Sequence, residues 1–223
     1  MNENIEIKQR LIAYYRRSGY VKDENAFDAF MAVPREMFVP EAQASCAYRD
    51  HPLPLMNTGQ TISAPHMTIM ILDYLELEAG QKILEIGAGS GYQAALIAAI
   101  VAPDEGNPGH VYSIEIVPEL VEFAKKNLER AGFSRSVTVI EGDGTLGYKE
   151  QAPYDRIILT AAGPILPPPL IEQLKVGGSL VMPLGRPGLW QRMTRFRKVN
   201  QNATKKEKLS SVAFVPLRGK YGV

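Results

Sequence analysis

One stretch limits the possible fold more than any other part of the chain: residues 82–101, which read KILEIGAGSGYQAALIAAIV. The short apolar run at residues 83–86 lies between glycines, which is typical of a buried parallel strand. Three spaced glycines follow, Gly87, Gly89 and Gly91, and after them a run of alanine, leucine and isoleucine predicts a helix that can pack closely on a sheet. Strand, glycine turn and helix in this order open a nucleotide-binding βαβ unit.

The spacing of the glycines separates two classes of ligand. A dinucleotide fingerprint is G-x-G-x-x-G, whereas this chain has Glu85-x-Gly87-x-Gly89-x-Gly91. An acidic residue at the strand end would repel a pyrophosphate and attract an ammonium group. S-adenosyl-L-methionine (AdoMet) carries an ammonium and a sulfonium and no phosphate, and the pattern resembles motif I of the class I AdoMet-dependent methyltransferases. AdoMet is therefore favoured over a dinucleotide. The alternative, glycines that only let helix and strand pack closely, is weaker because three glycines cost more backbone entropy than a plain turn requires.

Size and composition indicate one globular domain without a metal. The 223 residues are enough for one substantial core and too few for two comfortable ones. A net charge of +1 gives no reason to expect nucleic acid or a membrane surface as a partner. One cysteine excludes a disulfide framework and a Cys-rich zinc site, and three scattered histidines predict no metal site. The N-terminus lacks the apolar core of a signal peptide and no run approaches a membrane span, so we expect a cytoplasmic protein.

Alternating strands and helices predict an α/β fold with a doubly wound, mainly parallel Rossmann-like sheet. Strands are expected at residues 83–86, 111–114, 137–140, 156–159 and 179–182, and helices between them at 94–98, 118–131 and 170–174. Runs at 189–199 and 209–217, joined by a polar loop at 200–208, predict a C-terminal antiparallel hairpin.

The residues before this core predict an N-terminal helical cap. Helical patterns occupy residues 5–17 and 25–33, and a stretch rich in Pro, Gly, Asn and Thr at 51–63 predicts an extended or looped segment. A further helix is expected at 64–74, closed by Gly80. We expect one methyltransferase domain over residues 1–223, with the cap and an active-site loop in 1–63 and the core in 64–223.

Acidic residues end or follow the first three predicted strands, and ligands bind at the carboxyl ends of the strands in such a sheet. Glu115 can accept hydrogen bonds from both ribose hydroxyls, Asp143 can accept from the adenine amino group, and Glu85 lies near the expected methionine ammonium. A single acid at a strand end is more often a solvated loop charge, but three together with the glycine turn favour a binding role. The predicted cofactor site comprises these acids, the three glycines, Ile116 and Gly144.

The residues after the fourth predicted strand limit which chemical groups could accept the methyl group. Methyltransferases that act on planar amines commonly carry an Asn or Asp, two prolines and an aromatic residue there, whereas residues 160–164 read TAAGP. No amide can hold an amino group and no aromatic ring can stack on a base. The segment therefore argues against adenine or glutamine N-methylation and leaves oxygen or carboxylate acceptors open.

Several motifs resemble those of the protein-L-isoaspartate (D-aspartate) O-methyltransferase family. They are TGQTISAPHM at residues 58–67, VPREMFVP at 33–40, ILEIGAGSGY at 83–92, EGDG at 141–144 and AFVPL at 213–217, in family order through nearly the whole chain. The resemblance implies an enzyme that uses AdoMet to methylate the free carboxylate of L-isoaspartyl residues in damaged proteins and peptides, releasing S-adenosyl-L-homocysteine. The ester then collapses to a succinimide, which begins repair. Whether D-aspartyl residues are accepted is left open.

The resemblance also implies the acceptor site. The family's active-site serine falls on Ser63, with Thr61 and Ile62 lining the same pocket and Val215 and Pro216 lying over the acceptor peptide. A carboxylate with a pKa of about 4 is already ionised at neutral pH, so Ser63 would orient it and no strong base is needed. The alternative is that Ser63 caps the following helix. For Val215 and Pro216 the alternative is a simple terminal strand.

The function with most support is therefore methyl transfer to isoaspartyl carboxylates by a monomeric enzyme. One alternative is an AdoMet-dependent O-methyltransferase with another small-molecule or RNA acceptor, and another is a non-catalytic AdoMet-binding module. Basic residues between positions 192 and 208 could suggest nucleic acid, but their alternation with apolar residues fits the solvated face of a hairpin better.

Overall fold

The structure is a computed structural model that describes residues 3–104, 106, 108–186 and 189–223. Within these ranges the α-helices are α1 (Glu3–Ser18), α2 (Glu24–Ala32), α3 (Pro65–Leu75), α4 (Tyr92–Val101), α5 (Pro118–Arg130) and α6 (Pro168–Glu172). The strands are β1 (Leu53–Leu55), β2 (Gln60–Ile62), β3 (Lys82–Ile86), β4 (His110–Glu115), β5 (Val137–Glu141), β6 (Tyr154–Leu159), β7 (Leu174–Leu184), β8 (Gln191–Asn200) and β9 (Ala203–Val212). Short 3-10 helices lie at Arg35–Phe38, Glu41–Cys46, Gly144–Leu146 and Lys149–Gln151.

A seven-stranded sheet in the order β5-β4-β3-β6-β7-β8-β9 forms the centre of the molecule. Strands β3 to β7 pair in parallel, and β8 and β9 pair antiparallel at one edge. The predicted mainly parallel sheet with a C-terminal antiparallel hairpin is thus confirmed. Strand β3 lies between β4 and β6, so the strand order reverses beside it, and the carboxyl ends of these strands meet where such sheets bind ligands.

Helix α4 is buried almost all round because it lies between the sheet and the N-terminal cap. Residues 94–98 of α4 are fully buried, and α2 packs against the helix with its own buried Phe27 and Phe30. A helix that is buried on all sides has no use for a polar face, and small residues let the cap and the sheet approach it closely. Each phenylalanine of the cap that is buried against it contributes about 1.5–3 kcal/mol to stability. One hydrophobic cluster therefore joins cap and sheet, and the predicted helical cap is confirmed as α1 and α2.

The end of α3 differs from the prediction. The helix ends at Leu75, and the left-handed residue that caps it is Glu76, with φ of 51°. The prediction that Gly80 closes this helix was therefore wrong. A left-handed conformation costs a non-glycine residue about 1–2 kcal/mol. The Glu76 carboxylate forms two ion pairs, in which its Oε1 lies 3.0 Å from Nη1 of Arg195 and 2.7 Å from Nη2 of Arg197.

The C-terminal hairpin also differs in its limits. The predicted polar loop at 200–208 is wrong, because a turn at residues 201–202 connects β8 to β9, which begins at Ala203. Strand β9 is a sheet edge with its lysines in solvent, and an edge strand tolerates such polar residues on an unpaired side. The strand ends at Val212, and beyond it Pro216 makes one isolated parallel bridge to Ala162. Strand β7 begins earlier than predicted, at Leu174.

No helix within the described ranges is both long enough and apolar enough to cross a bilayer.

Candidate cofactor and acceptor cleft

A cleft with about 820 Å³ of open space lies at the carboxyl ends of β3, β4 and β6. Its walls come from the glycine turn (residues 87–91), the serine loop (residues 60–63), the start of α5 and the C-terminal segment (residues 213–223). The predicted site residues that line it are Thr61, Ile62, Ser63, Gly87, Gly89, Glu115, Ile116, Gly144, Val215 and Pro216. Predicted residues that do not line it are Glu85, Gly91 and Asp143.

The glycine turn is shaped by a threonine that the sequence analysis missed. Thr160 follows β6, and its hydroxyl donates to the carbonyl oxygens of Gly87 at 2.7 Å and Ile86 at 3.1 Å. Gly87 has φ of 98°, and a Cβ atom there would collide with the Thr160 hydroxyl. The turn can therefore approach Thr160 closely only with glycine at this position. Gly91 instead faces Leu128 at the start of α4, so its role in the structure is packing between helices.

Glu115 presents its carboxylate to the cleft on a frame of backbone donors. Oε2 accepts from the amide of Gly89 at 2.9 Å, and Oε1 accepts from the amides of Ile116 at 2.9 Å and Val117 at 3.0 Å. These bonds join the glycine turn to the beginning of α5. A carboxylate has about four acceptor sites, and these three bonds leave one of them, on Oε2, for a ligand hydroxyl.

Glu85 is turned away from the cleft. It is fully buried, and Oε2 accepts a short hydrogen bond from the Ser113 hydroxyl on the neighbouring strand. Burial raises the pKa of the Glu85 carboxyl to about 8, against the opposing effect of the Ser113 hydrogen bond. Oε1 has no hydrogen-bond partner among the described residues. The structure therefore does not bring Glu85 to the cleft surface, where a methionine ammonium was expected to meet it.

Asp143 holds the C-terminal segment. Oδ1 accepts from the amide and hydroxyl of Thr145 at 2.9 and 2.7 Å, and Oδ2 accepts from the amide of Lys220 at 2.7 Å. The amide of Tyr221 also donates to the Thr145 hydroxyl, at 3.3 Å. These bonds use three of the about four acceptor sites of the carboxylate that was predicted to accept from adenine, and Asp143 does not line the cleft, whereas Arg218 of the same C-terminal segment does.

Ser63 is half-buried in the cleft wall, and its hydroxyl makes no hydrogen bond within the described ranges. The residue that caps α3 is Ala64, with no side-chain cap, and the carboxylate of Asp50 accepts from the amide of His66 at 3.0 Å. The alternative that Ser63 caps this helix was therefore wrong. Asp50 also lies 2.8 Å from the ring Nδ1 of His66. Nothing local in the sequence links Asp50 to this helix.

A family model places the chain among known proteins. The model described as Protein-L-isoaspartate(D-aspartate) O-methyltransferase (PCMT) matches residues 6–222. The chain belongs to this family. The resemblance inferred from the TISAPHM segment is confirmed, and the match covers the cap, the sheet and the C-terminal segment.

Close relatives carry the same family name. A protein-L-isoaspartate O-methyltransferase of Hyperthermus butylicus is 51% identical over 220 residues, covering 97% of this chain and 90% of the relative. One of Staphylothermus marinus is 50% identical over 216 residues, covering 96% and 95%. High identity over nearly full length extends the family assignment to the whole chain.

Solved structures of the same family share the fold. A candidate PCMT of Plasmodium falciparum, in complex with S-adenosyl-L-homocysteine, matches with a TM-score of 0.83 and 25% identity, covering 98% of this chain and 99% of that chain. Another protein-L-isoaspartate O-methyltransferase matches with a TM-score of 0.83 and 30% identity, covering 96% and 67%. The predicted methyltransferase fold is thus confirmed.

Further polar residues of this PCMT chain line the cleft without having been predicted: Thr68, Ser90, Tyr92, Gln93, Thr160 and Arg218. Tyr92 and Gln93 open α4 directly after the glycine turn, so the general rule that helix N-termini border ligands could have found them. Thr160 follows a strand end, which was a usable signal too. No sequence signal marked Arg218, because it lies in the C-terminal segment, which is bound to Asp143 through the amide of Lys220. In the part of the chain that the structure describes, no group of three or more His, Cys, Asp or Glu could hold a metal ion.

Proposed function

We propose that this chain transfers a methyl group from AdoMet to the free carboxylate of L-isoaspartyl residues in damaged proteins and peptides. The single observation that carries the proposal is the meeting of the serine loop and the glycine turn in one cleft, in a chain of the PCMT family. A binding module would need only the glycine turn, whereas this cleft has a second wall with a free hydroxyl.

The cleft fits AdoMet better than a phosphate-bearing cofactor. Glu115 places a buried carboxylate against the glycine turn, where a phosphate would be repelled and ribose hydroxyls can donate. Gly87 and Gly89 leave the turn without side chains to fill the space. We propose that these residues hold the cofactor, with Ile116 and Gly144 beside it. When bound, AdoMet supplies a methyl group on a positively charged sulfur.

The acceptor needs to be held rather than activated. Its carboxyl group is ionised at neutral pH, and a carboxylate oxygen is already nucleophilic. We propose that the Ser63 hydroxyl donates to one carboxylate oxygen and so aims the other, while Thr61 and Ile62 shape the pocket and Val215 and Pro216 cover it. Excluding water from this cleft strengthens every charge interaction inside it and favours a reaction in which opposite charges cancel.

A comparison of two peptides tests the proposed reaction. Labelled AdoMet is incubated with the protein and an isoaspartyl peptide, beside the same sequence with ordinary aspartate. We expect label on the isoaspartyl peptide alone. Equal labelling of both peptides, or no labelling of either, would overturn the proposal, and labelling of RNA or a small molecule instead would identify the alternative acceptor.

The role of Ser63 is tested with Ser63→Ala. Loss of one hydrogen bond to a charged group costs about 1.5–3 kcal/mol, so we expect methyl transfer to slow about 10- to 100-fold while AdoMet affinity stays within about twofold. Ser136→Ala is the matched control, since this half-buried serine lies at the amino end of β5, whereas the cleft lies at the carboxyl ends of the strands. If AdoMet affinity fell in parallel with the rate, Ser63 would serve the cofactor or the fold instead.

Other features remain predictions from the sequence. They are the monomeric state, the cytoplasmic location, the lack of nucleic-acid and membrane partners, and the division into cap and active-site loop (1–63) and core (64–223). Light scattering of the purified protein would test the first of them.

A further inference from the structure

Arg35 is a fully buried arginine that no part of the proposed mechanism uses. It opens the 3-10 helix Arg35–Phe38 in the VPREMFVP segment. Its Nε donates to the carbonyl oxygen of Ala47 at 2.6 Å, and its Nη2 donates to the carbonyl oxygen of Ser63 at 2.7 Å. The Arg35 side chain is therefore hydrogen-bonded to the backbone of Ser63, the residue proposed to orient the acceptor.

A buried guanidinium is costly unless its surroundings satisfy it. Burial lowers the pKa of Arg35, although an arginine stays charged in proteins. No carboxylate pairs with Arg35 within the described ranges, and Nη1 has no hydrogen-bond partner there. Its compensation comes from the two carbonyl oxygens and from the face of the Tyr92 ring, whose centroid lies 5.0 Å from the guanidinium carbon. A leucine or methionine would avoid the buried charge but would leave both carbonyl oxygens without this donor, so the arginine specifically connects these two backbone segments.

The partners of Arg35 belong to both sides of the cleft. Ser63 is in the serine loop, on the acceptor side, and Tyr92 is the first residue of α4, directly after the glycine turn. The planar guanidinium has its donors in a fixed geometry, so it can hold the serine loop in one position while it rests on Tyr92. One side chain thus contacts both walls of the cleft.

We propose that Arg35 is a positioning residue, which holds the Ser63 loop at the distance from the glycine turn that methyl transfer requires. The inference rests on the proposed function, because it assigns Arg35 to that reaction. A misplacement of about 1 Å can cost about 100-fold in rate, so a small movement of the serine loop is enough to be measured.

Arg35→Lys is the first test. Lysine keeps the positive charge but cannot reach both carbonyl oxygens with a planar fork. We expect kcat for an isoaspartyl peptide to fall about 10- to 100-fold per folded site, with AdoMet affinity within about threefold. The number of folded sites is counted by calorimetric titration with S-adenosyl-L-homocysteine, well below the unfolding temperature.

A double variant separates positioning from general stability. If Arg35 acts through Ser63, then adding Arg35→Lys to Ser63→Ala should lower kcat by less than about threefold beyond Ser63→Ala alone. Losses that multiply would mean that Arg35 affects the rate by a route other than Ser63, whereas a purely structural role would leave kcat per folded site unchanged. Phe30→Leu is the matched control, because Phe30 is fully buried in the same cluster against Tyr48 and does not line the cleft. It should lower the melting temperature and leave kcat per folded site unchanged.

Three results would overturn the proposal: an unchanged kcat per folded site in Arg35→Lys, multiplied losses in the double variant, or a failure of positioning variants to fold. If Arg35→Lys does not fold, Arg35→Gln takes its place, since an uncharged amide can donate to one carbonyl without a buried charge. If neither folds, Arg35 is needed for the fold and the positioning role is rejected. The activity of the wild-type protein on the isoaspartyl peptide is a separate test. If the wild type shows no such activity, the proposed function is rejected, and not only the positioning role of Arg35.

Discussion

At the residue scale, Glu115 combines a ligand-binding role with a structural one. Its carboxylate accepts from the backbone of the glycine turn and of α5, and it faces the cleft at the same time. The backbone donors hold the carboxylate in one orientation before any ligand arrives. Little side-chain entropy is then lost on binding, which favours affinity.

We expect Glu115→Ala to weaken the binding of AdoMet chiefly by removing the acceptor for a ribose hydroxyl. Loss of a charged acceptor costs about 1.5–3 kcal/mol, which corresponds to about a 10- to 100-fold higher Kd. Calorimetric titration measures the Kd, and kcat at saturating AdoMet should change less. Glu119→Ala is the control, because Glu119 is exposed in the first turn of α5. An unchanged Kd in Glu115→Ala would remove Glu115 from the ribose.

The three strand-end acids show what the sequence could predict at this scale. Their places near the carboxyl ends of β3, β4 and β5 followed from the pattern, but the direction of each carboxylate did not. Glu85 faces Ser113, and Asp143 faces the amide of Lys220, 77 positions away in sequence. Only Glu115 faces the cleft. Such directions depend on strand register and on distant segments, which a single sequence does not reveal.

At the element scale, local patterns failed where distant contacts decide the structure. Glu76 ends α3 in place of Gly80, and its ion-pair partner Arg197 is 121 positions away. The first part of β9, residues 203–208, reads as a polar loop, yet it pairs with β8, and charged side chains such as lysine are common on an edge strand. The helices and strands of the parallel core were predicted more closely, because burial on both faces gives them continuous apolar runs.

The C-terminal segment gives a prediction at this scale. Gly219 has φ of 120°, and a Cβ atom there would lie 2.6 Å from Cγ of Asp143. We expect Gly219→Ala to separate the segment from Asp143, so that the amides of Lys220 and Tyr221 lose protection from hydrogen exchange. The free energy of unfolding should fall by about 1–3 kcal/mol.

Gly177→Ala is the matched control for Gly219→Ala. Gly177 has φ of 84°, but open space surrounds the position of its Cβ atom. It therefore carries only the cost of a left-handed alanine, about 1–2 kcal/mol, and should leave the amide of Lys220 protected. Full protection of that amide in Gly219→Ala would contradict the idea that Asp143 holds the segment.

At the scale of the whole molecule, the cleft at the carboxyl ends of β3, β4 and β6 is bordered by the sheet, by the serine loop and by the C-terminal segment. The sequence predicted this architecture because the βαβ alternation and the family motifs are distributed along the chain in order. It could not predict how the cap takes part. Arg35 from the cap contacts both the serine loop and Tyr92, and only the folded molecule brings these residues together.

The stability of the whole molecule should depend on the proton carried by Glu85. Its folded pKa is about 8, raised by burial from its usual value of 4.5. Between these two pH values the folded protein keeps the proton and the unfolded chain loses it. The contribution of this group is therefore fully present below about pH 4.5 and is lost as the pH rises through 8, with a slope of at most about 1.4 kcal/mol per pH unit.

Glu85→Gln should remove this dependence, because a glutamine keeps the shape of the protonated carboxyl and does not titrate. We expect the free energy of unfolding of the wild type to fall relative to that of Glu85→Gln between pH 5 and 8, measured by urea denaturation without ligand. His110 has a pKa lowered by burial and gives the opposite slope below pH 6.5, but it cancels in the difference between the two proteins. Glu129→Gln changes an exposed carboxylate and should follow the wild type throughout. Parallel curves for wild type and Glu85→Gln would mean that Glu85 is ionised in the folded protein, and its unpartnered Oε1 would then require a donor that the described residues do not provide.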